Sequence, residues 1–508
     1  MAADKTTKVA ERRAVSATLS PVKAAASTAP IVDADSTPGK PSEEQVALWK
    51  SLSEDQKLAL REREAVRMFS QGLQQHRDGN LEEAARLYGQ AIQLNQNFPD
   101  IYNNLGVALR ALGKREASAA CYQRSLALKP DHAGAYTNLG NVLRELGRLE
   151  VAAASHRHAI ELDPGLADAH YNLGLALRDL GETEAALKCF DETLSLNPDH
   201  PACHWERSLS LLQGGDLVNG FTEYEWRLQL SSFPKRDFSQ PRWDGAELKG
   251  KTILLHQEHD FGDLILFARY IPILKAMGGN VVVEVHPELS RLFSTINGVK
   301  QVVNRGADLP KFDVYLPIMS LAHVLGTTMD SIPADVPYLQ APDRLAHHLP
   351  ANLGSEKKIG LAWAGRSTHK NDAKRSVPFR NFVELMGVAD TAFCSLQYGP
   401  AAKDIAENGC EALIMDLGTK MQDFADTAAV ITELDLVITV DTSIAHLAGA
   451  LGKPVWVALP FPGDWRWMLD REDSPWYPTA RLFRQPKPGD WETVFGNIRA
   501  ALAQEAKS

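Results

Sequence analysis

Cysteine is scarce and scattered: Cys121, Cys189, Cys203, Cys394 and Cys410 are the only five in 508 residues, and no two form a CxxC pair. This excludes a disulfide framework and a thiolate zinc site, and leaves reduced packing cysteines of a cytoplasmic protein. Missing too is any run approaching the roughly 18 consecutive apolar residues of a membrane span. Lys5, Lys8, Arg12 and Arg13 are followed by no continuous apolar segment, so no secretory signal is expected. Positive charge is in deficit as well. The formal net charge is -10, without a long basic block, which argues against nucleic acid as the partner. Residues 1–60, with "AAASTAPIVDADSTPGKPSEE", lack an apolar period and read as a disordered tail.

What is present begins with a repeat. Over residues 61–230, Gly79, Gly113, Gly147, Gly181 and Gly215 recur every 34 residues, as do Pro130, Pro164 and Pro198. Leu105, Leu139 and Leu173 keep the step, and so do the ring positions Tyr88, Tyr122, His156 and Phe190. That period is the tetratricopeptide signature, two antiparallel helices per unit stacked into an α-solenoid with a concave face. Gly106, Gly140 and Gly174 would let paired helices approach, the Gly113 series would end first helices, and the prolines would start new units. About four good repeats and a degenerate, capping fifth are expected. Residues 231–250 read as a connector in which Trp243 is a packing anchor.

Beyond it, strands and helices alternate, as in "KTILLHQE", "NVVVEV", "KIGLAWA" and "LDLVITVD". Alternation of this kind builds parallel sheets covered on both faces. Two sets, at 251–350 and 351–508, are separated by the proline-rich "SIPADVPYLQAP", so two α/β domains with a cleft are expected. The helix near the C-terminus could pack on either. The fold class is therefore α plus α/β.

The chemistry concentrates in "VITVDTSIAHLAGALGKPVWVALP", residues 437–460. Ligands of open α/β sheets sit beyond strand C-termini, where helix N-termini point. Thr442 or Ser443 can cap the helix that follows, presenting free N–H groups to a phosphate, with His446 one turn inside. Asp441 would repel a phosphate; it suits orienting His446 or the backbone, or bonding a sugar hydroxyl. Taken alone, the turn fits an ordinary structural cap equally well. No Asp pair at a strand end calls for a metal.

Three stretches resemble the heptosyltransferase-like glycosyltransferases: "DTSIAHLAGALGKPVW", "GLAWAGRSTHKNDAKRSVP" and "HQEHDFGDLILFARY". The resemblance implies a GT-B arrangement of two facing Rossmann-like domains. It implies donor binding by Asp441, Thr442 and His446, and by a basic residue drawn from Lys370, Lys374 and Arg375. It also implies a Gly-Asp turn, Gly262 and Asp263, with Asp263 the catalytic base. Asp263 ranks first and Glu258 second among neighbours that include His259 and Asp260; the lesser alternative is that Asp263 only caps the helix. Gln397 and Tyr398 join the cleft by resemblance, whereas Trp465 and Trp467 suit the core. Asn104, Asn138 and Asn172, stepping by 34, resemble the peptide-gripping ladder of O-GlcNAc transferase repeats, which here stops at Glu206. The bland alternative is asparagines bonded to water or a neighbouring helix.

Over residues 70–500 the chain is similar to bacterial TPR-glycosyltransferases, some of which modify flagellin with a nonulosonic acid such as pseudaminic acid. The expected activity is inverting, metal-independent O-glycosylation of Ser or Thr. The donor would be a CMP-, UDP- or ADP-linked sugar, with no other cofactor, and the repeats would hold the acceptor protein. Two alternatives share these features: a repeat adaptor with an inactive transferase-like part, and a transferase acting on a glycan or lipid.

Overall fold

The computed structural model describes residues 49–233, 235–258, 260–342, 356–366 and 372–506. It divides into two compact units, residues 1–203 and 204–508. The part of the expected tail before residue 49 lies outside the described residues, but its last stretch is ordered. A helix spans Glu54–Arg77, opened by a capping box in which Ser53 accepts from the Gln56 N–H and Gln56 accepts from the Ser53 N–H. The capping pattern overrides the tail reading there.

In the first unit, paired helices follow at Leu81–Leu94, Pro99–Ala111, Arg115–Leu128, Ala133–Glu145, Leu149–Leu162, Ala167–Asp179 and Thr183–Leu196. The Gly113 series adopts positive φ (+75° at Gly113), the left-handed turn that ends each first helix. The helical glycines act by absence of a side chain. A Cβ on Gly106 would stand 2.7 Å from the Tyr122 ring, and one on Gly174 2.5 Å from Phe190. Pro130, Pro164 and Pro198 sit in the turns between units, ahead of helices that begin at Ala133, Ala167 and Pro201, and so do not open the helices themselves.

The fifth helix pair, Pro201–Gln213 and Leu217–Tyr224, departs from the reading of a simple array cap. The unit boundary falls inside its first helix. Leu212, Leu217, Phe221 and Tyr224 enter the hydrophobic core that also contains Leu255, Phe267, Trp465 and Trp476. Its aromatic face is thus a wall of the α/β unit. Trp243 is buried in the same core, as its anchor reading expects.

That unit holds two all-parallel sheets. The first runs β3-β2-β1-β4, with β1 Thr252–His256, β2 Asn280–Val285, β3 Val299–Asn304 and β4 Val314–Pro317. The second runs β10-β9-β8-β5-β6-β7, with β5 Lys357–Ala362, β6 Thr391–Ser395, β7 Ile414–Asp416, β8 Leu436–Val440, β9 Val455–Leu459 and β10 Ala480–Arg484. Counted from β5 this is the 3-2-1-4-5-6 order of a dinucleotide-binding fold, whose order reverses between β5 and β8. Strands β8 and β9 are buried throughout, which is why they read as unbroken apolar runs. The Trp491–Glu505 helix packs on the second sheet, where Val494, Phe495 and Ile498 join Phe382 and Trp456.

Candidate active site

The turn after β1 and the turn after β8 meet at one place. Helix Phe261–Phe267 starts from Asp260, and Asp263 is its third residue. Asp263 does not cap the helix by the N-cap position, which Asp260 occupies. Its Oδ1 accepts a hydrogen bond from Arg466 Nη2. Arg466 lies in the short turn Trp465–Trp467 after β9, where Nη1 donates to Asp464 Oδ1 at 2.6 Å and the guanidinium stands 4.4 Å from the Trp465 ring centroid. Burial works against its charge, but Asp263 and Asp464 outweigh burial and raise its pKa above the ordinary arginine value.

On the other side, Thr442 caps helix Ser443–Ala450, its hydroxyl accepting from the Ile444 N–H at 3.3 Å, as the sequence expects. Ser443 is the first residue of that helix and half-buried. Asp441 is buried, accepts from Trp467 Nε1 at 2.8 Å, and is pushed up to about 6 by burial first and by Asp464 second. Trp467 in turn stacks on His446, centroids 5.2 Å apart. Burial drives His446 well below its ordinary pKa, with Arg466, Arg269 and Arg375 adding to the effect. Burial thus favours the neutral ring, which is bonded through Nδ1 to Tyr477 Oη at 3.0 Å.

Gly262 joins the two sides. A Cβ there would stand 2.8 Å from His446 Cδ2, so the helix after β1 can cross the helix after β8 at this point only with glycine. Gly262, Asp263, Asp441, Thr442 and His446 are thereby brought together. Arg375 is close enough that its charge lowers the pKa of both Asp441 and His446. Its Nε is buried without a hydrogen-bond partner among the described residues, and Nη2 would lie 2.9 Å from a Cβ on Gly365 in the loop after β5. Lys374 is exposed, and Lys370 lies outside the described residues, as does His259.

Two sequence candidates are fully engaged elsewhere. Both Glu258 oxygens accept from Arg227, at 2.9 Å each from Nη2, and Oε2 also accepts from the Met319 N–H at 3.1 Å. With side chains 0% and 1% exposed, Arg227 and Glu258 form an interior ion pair. Gln397 clamps backbone: Oε1 accepts from the Trp363 and Ala364 N–H groups at 3.0 and 2.9 Å, and Nε2 donates to Ala364 and Tyr398 carbonyls. Tyr398 itself is exposed. In the array, Asn104 is wholly buried and donates to Asp100 O at 2.8 Å. Asn138 donates to Asn103 Oδ1 at 3.2 Å, and Asn172 to Asp168 O at 2.7 Å.

Sequence reasoning missed Arg466, Tyr477 and Arg227. The first carried a signal: "DWRW" places an arginine between two tryptophans just after a buried strand. Trp465 and Trp467 are core residues as expected, though Trp467 also holds Asp441. Among the described residues no cluster of three metal-ligating side chains occurs, and no helix is long and apolar enough to cross a membrane.

Comparison with known proteins finds matches in both parts of the chain. Residues 72–113, 108–144 and 140–178 match a TPR repeat family and 167–200 the tetratricopeptide repeat. Residues 367–459 match glycosyltransferase family 9 (heptosyltransferase). Protein FlbA of Caulobacter vibrioides is 30% identical over 325 residues, 59% of this chain and 54% of FlbA. The chain thus spans about half the length of that curated relative. Among solved structures, MamA of Desulfovibrio magneticus RS-1 is 22% identical with TM-score 0.30, covering 33% of this chain and 92% of its own. Pseudomonas aeruginosa pilF is 23% identical with TM-score 0.31, covering 33% and 77%. The chain therefore joins segments similar to TPR repeats and to glycosyltransferase family 9, and is similar to FlbA over part of its length.

Proposed function

We propose that the chain is an inverting protein O-glycosyltransferase of GT-B arrangement, using a nucleotide-activated sugar. The observation that carries the reading is the Gly262–His446 crossing, which brings the Gly-Asp turn of one sheet against the capped helix of the other. In this reading the nucleotide lies across the reversal point between β5 and β8. Its phosphate meets the N-terminal end of helix Ser443–Ala450, where the Ile444 and Ala445 N–H groups bond Thr442, and the positive charge of Arg375 and Arg466. Asp263 takes the proton of a Ser or Thr hydroxyl as its oxygen attacks the anomeric carbon, and the bond from that carbon to the phosphate oxygen breaks. Asp441 orients the site through Trp467 or bonds a sugar hydroxyl. The reaction so written needs no metal and no cofactor beyond the nucleotide sugar. The resemblance extends the proposal to a cytoplasmic enzyme, with flagellin as acceptor held by the repeats and a nonulosonic acid as the sugar.

A thermal-shift screen with CMP, UDP, GDP and ADP tests the reading. One nucleotide at a hundredfold its Kd is expected to stabilise the protein by about 2.7 kcal/mol. Stabilisation by none contradicts it. The burial of Asn104 favours a second reading on one point, that the repeats dock a partner without gripping an extended peptide backbone. Unchanged glycosylation in an Asn138→Ala, Asn172→Ala double variant is the outcome expected of docking alone.

A further inference from the structure

The base candidate is held in a form that opposes its use. A carboxylate oxygen that already accepts from a guanidinium is not free to receive the proton of an acceptor hydroxyl. Asp263 is so paired, with side-chain exposures of 14% for Asp263 and 12% for Arg466. Yet Arg466 also lies where a leaving phosphate would come. Its neighbour in the turn, Trp467, donates to Asp441 just before the Ser443–Ala450 helix and stacks on His446 one turn inside it. Asp464 keeps a second hold on the same guanidinium through Nη1. Asp464 also accepts from the Arg466 N–H at 3.0 Å, which fixes the turn that carries it. Arg466 can therefore exchange one carboxylate partner without losing the other.

Resting on the transferase reading above, we propose that Arg466 is a latch that couples donor binding to release of the base: the nucleotide's phosphate takes the Nη2 contact from Asp263. The freed carboxylate then faces the acceptor hydroxyl, and Arg466 receives the charge that develops on the phosphate as the glycosidic bond breaks. Before the donor arrives Asp263 Oδ1 is held by Arg466, so an acceptor or water entering first meets a carboxylate fixed toward the guanidinium. The latch makes the site ordered, donor before acceptor, by charge exchange at one side chain.

The test is a double-mutant cycle on nucleotide affinity, measured by calorimetry on the full chain with whichever of CMP, UDP, GDP or ADP binds. Asp263→Asn removes the competitor for Arg466 and is expected to tighten nucleotide binding about fivefold or more. Arg466→Gln is expected to weaken it by about tenfold, and Arg466→Lys by less. In the double variant Asp263→Asn, Arg466→Gln, the tightening is expected to vanish. Equal tightening by Asp263→Asn with and without Arg466 would mean simple repulsion of the phosphate and would overturn the latch. So would no tightening at all. If the Arg466→Gln protein does not fold, the Lys variant carries the cycle, with a smaller coupling expected. If no nucleotide binds the unaltered protein, the transferase reading fails first and the latch with it; binding with an additive cycle sinks the latch alone.

Discussion

The repeat array and the α/β unit are both well packed, but they bury different things. The array buries rings against glycines: Tyr88 on Gly72, Tyr122 on Gly106, His156 on Gly140 and Phe190 on Gly174. The α/β unit buries charge. Arg227 with Glu258, Arg466 with Asp263 and Asp464, and the cross-bracing Arg269, which donates to the carbonyls of Leu266 and Trp476, all lie in or beside its core. A ring on a glycine is a repeatable packing solution and asks nothing of other elements. A buried charge is costly unless each partner is in place, so it persists where it fixes a unique geometry or serves chemistry. The difference teaches where to look: in this molecule structural stacking is apolar and periodic, and the candidate site is polar and single.

Three substitutions sharpen or break that contrast. The largest effect is expected at Glu258→Ala, which strands Arg227 in the interior. Loss of about 3–5 kcal/mol is expected in denaturant unfolding of the α/β unit. A cost below 1 kcal/mol would remove the distinction between the structural pair and the working one.

Next is His156, the only histidine in the ring series. It is fully buried, neither ring nitrogen has a partner among the described residues, and burial first, Arg144 second, push it down to about 3. The unfolded chain takes up a proton below about 6.5 and the folded one does not until about 3. Stability associated with this ring is therefore present above about 6.5 and falls as pH drops toward 3. His156→Phe copies the Phe190 solution. It is expected to raise array stability by about 1–2 kcal/mol at neutral pH, and to flatten the loss between pH 6 and 4 in helix melts followed by circular dichroism. An unchanged acid slope would mean the ring is not the titrating group.

The smallest effect is expected at Asp441→Asn. The amide oxygen can still accept from Trp467, while the buried charge is gone. Because Asp441 is raised from 3.8 to about 6, its contribution is fully present below pH 3.8 and is lost as pH rises through 6. The variant should therefore melt a few degrees higher than the parent at pH 8, with the gap closing toward pH 4. A gap that widens toward acid would reverse the assignment.

Much of this was readable in advance because it is local or periodic. The 34-residue step of Gly113 and its companions specifies turns, and the ring series specifies what those turns bring together. Strand and helix alternation after residue 251 specifies parallel sheets, and "VDTSIAH" specifies a capped strand-to-helix turn. The helix onset at Glu54 was missed inside a low-complexity stretch, although Ser53 and Gln56 carry a capping box. The fifth helix pair kept the period while changing its neighbours, and period says nothing of what a face packs against. Its extra aromatics, Trp205 and Phe221, were the available hint. Least readable were pairs made by distant side chains. Arg466 and Asp263 lie 203 residues apart, and Glu258 finds Arg227 from 31 residues away, with no spacing rule to announce either.

Asp263 carries the proposed chemistry most directly. Sugar transfer to a protein acceptor should be read by intact mass for the parent and for Asp263→Ala, with nucleotide binding measured on the same samples. The expected result is transfer reduced by about a hundredfold or more while the nucleotide still binds. Transfer that survives the substitution would contradict the account.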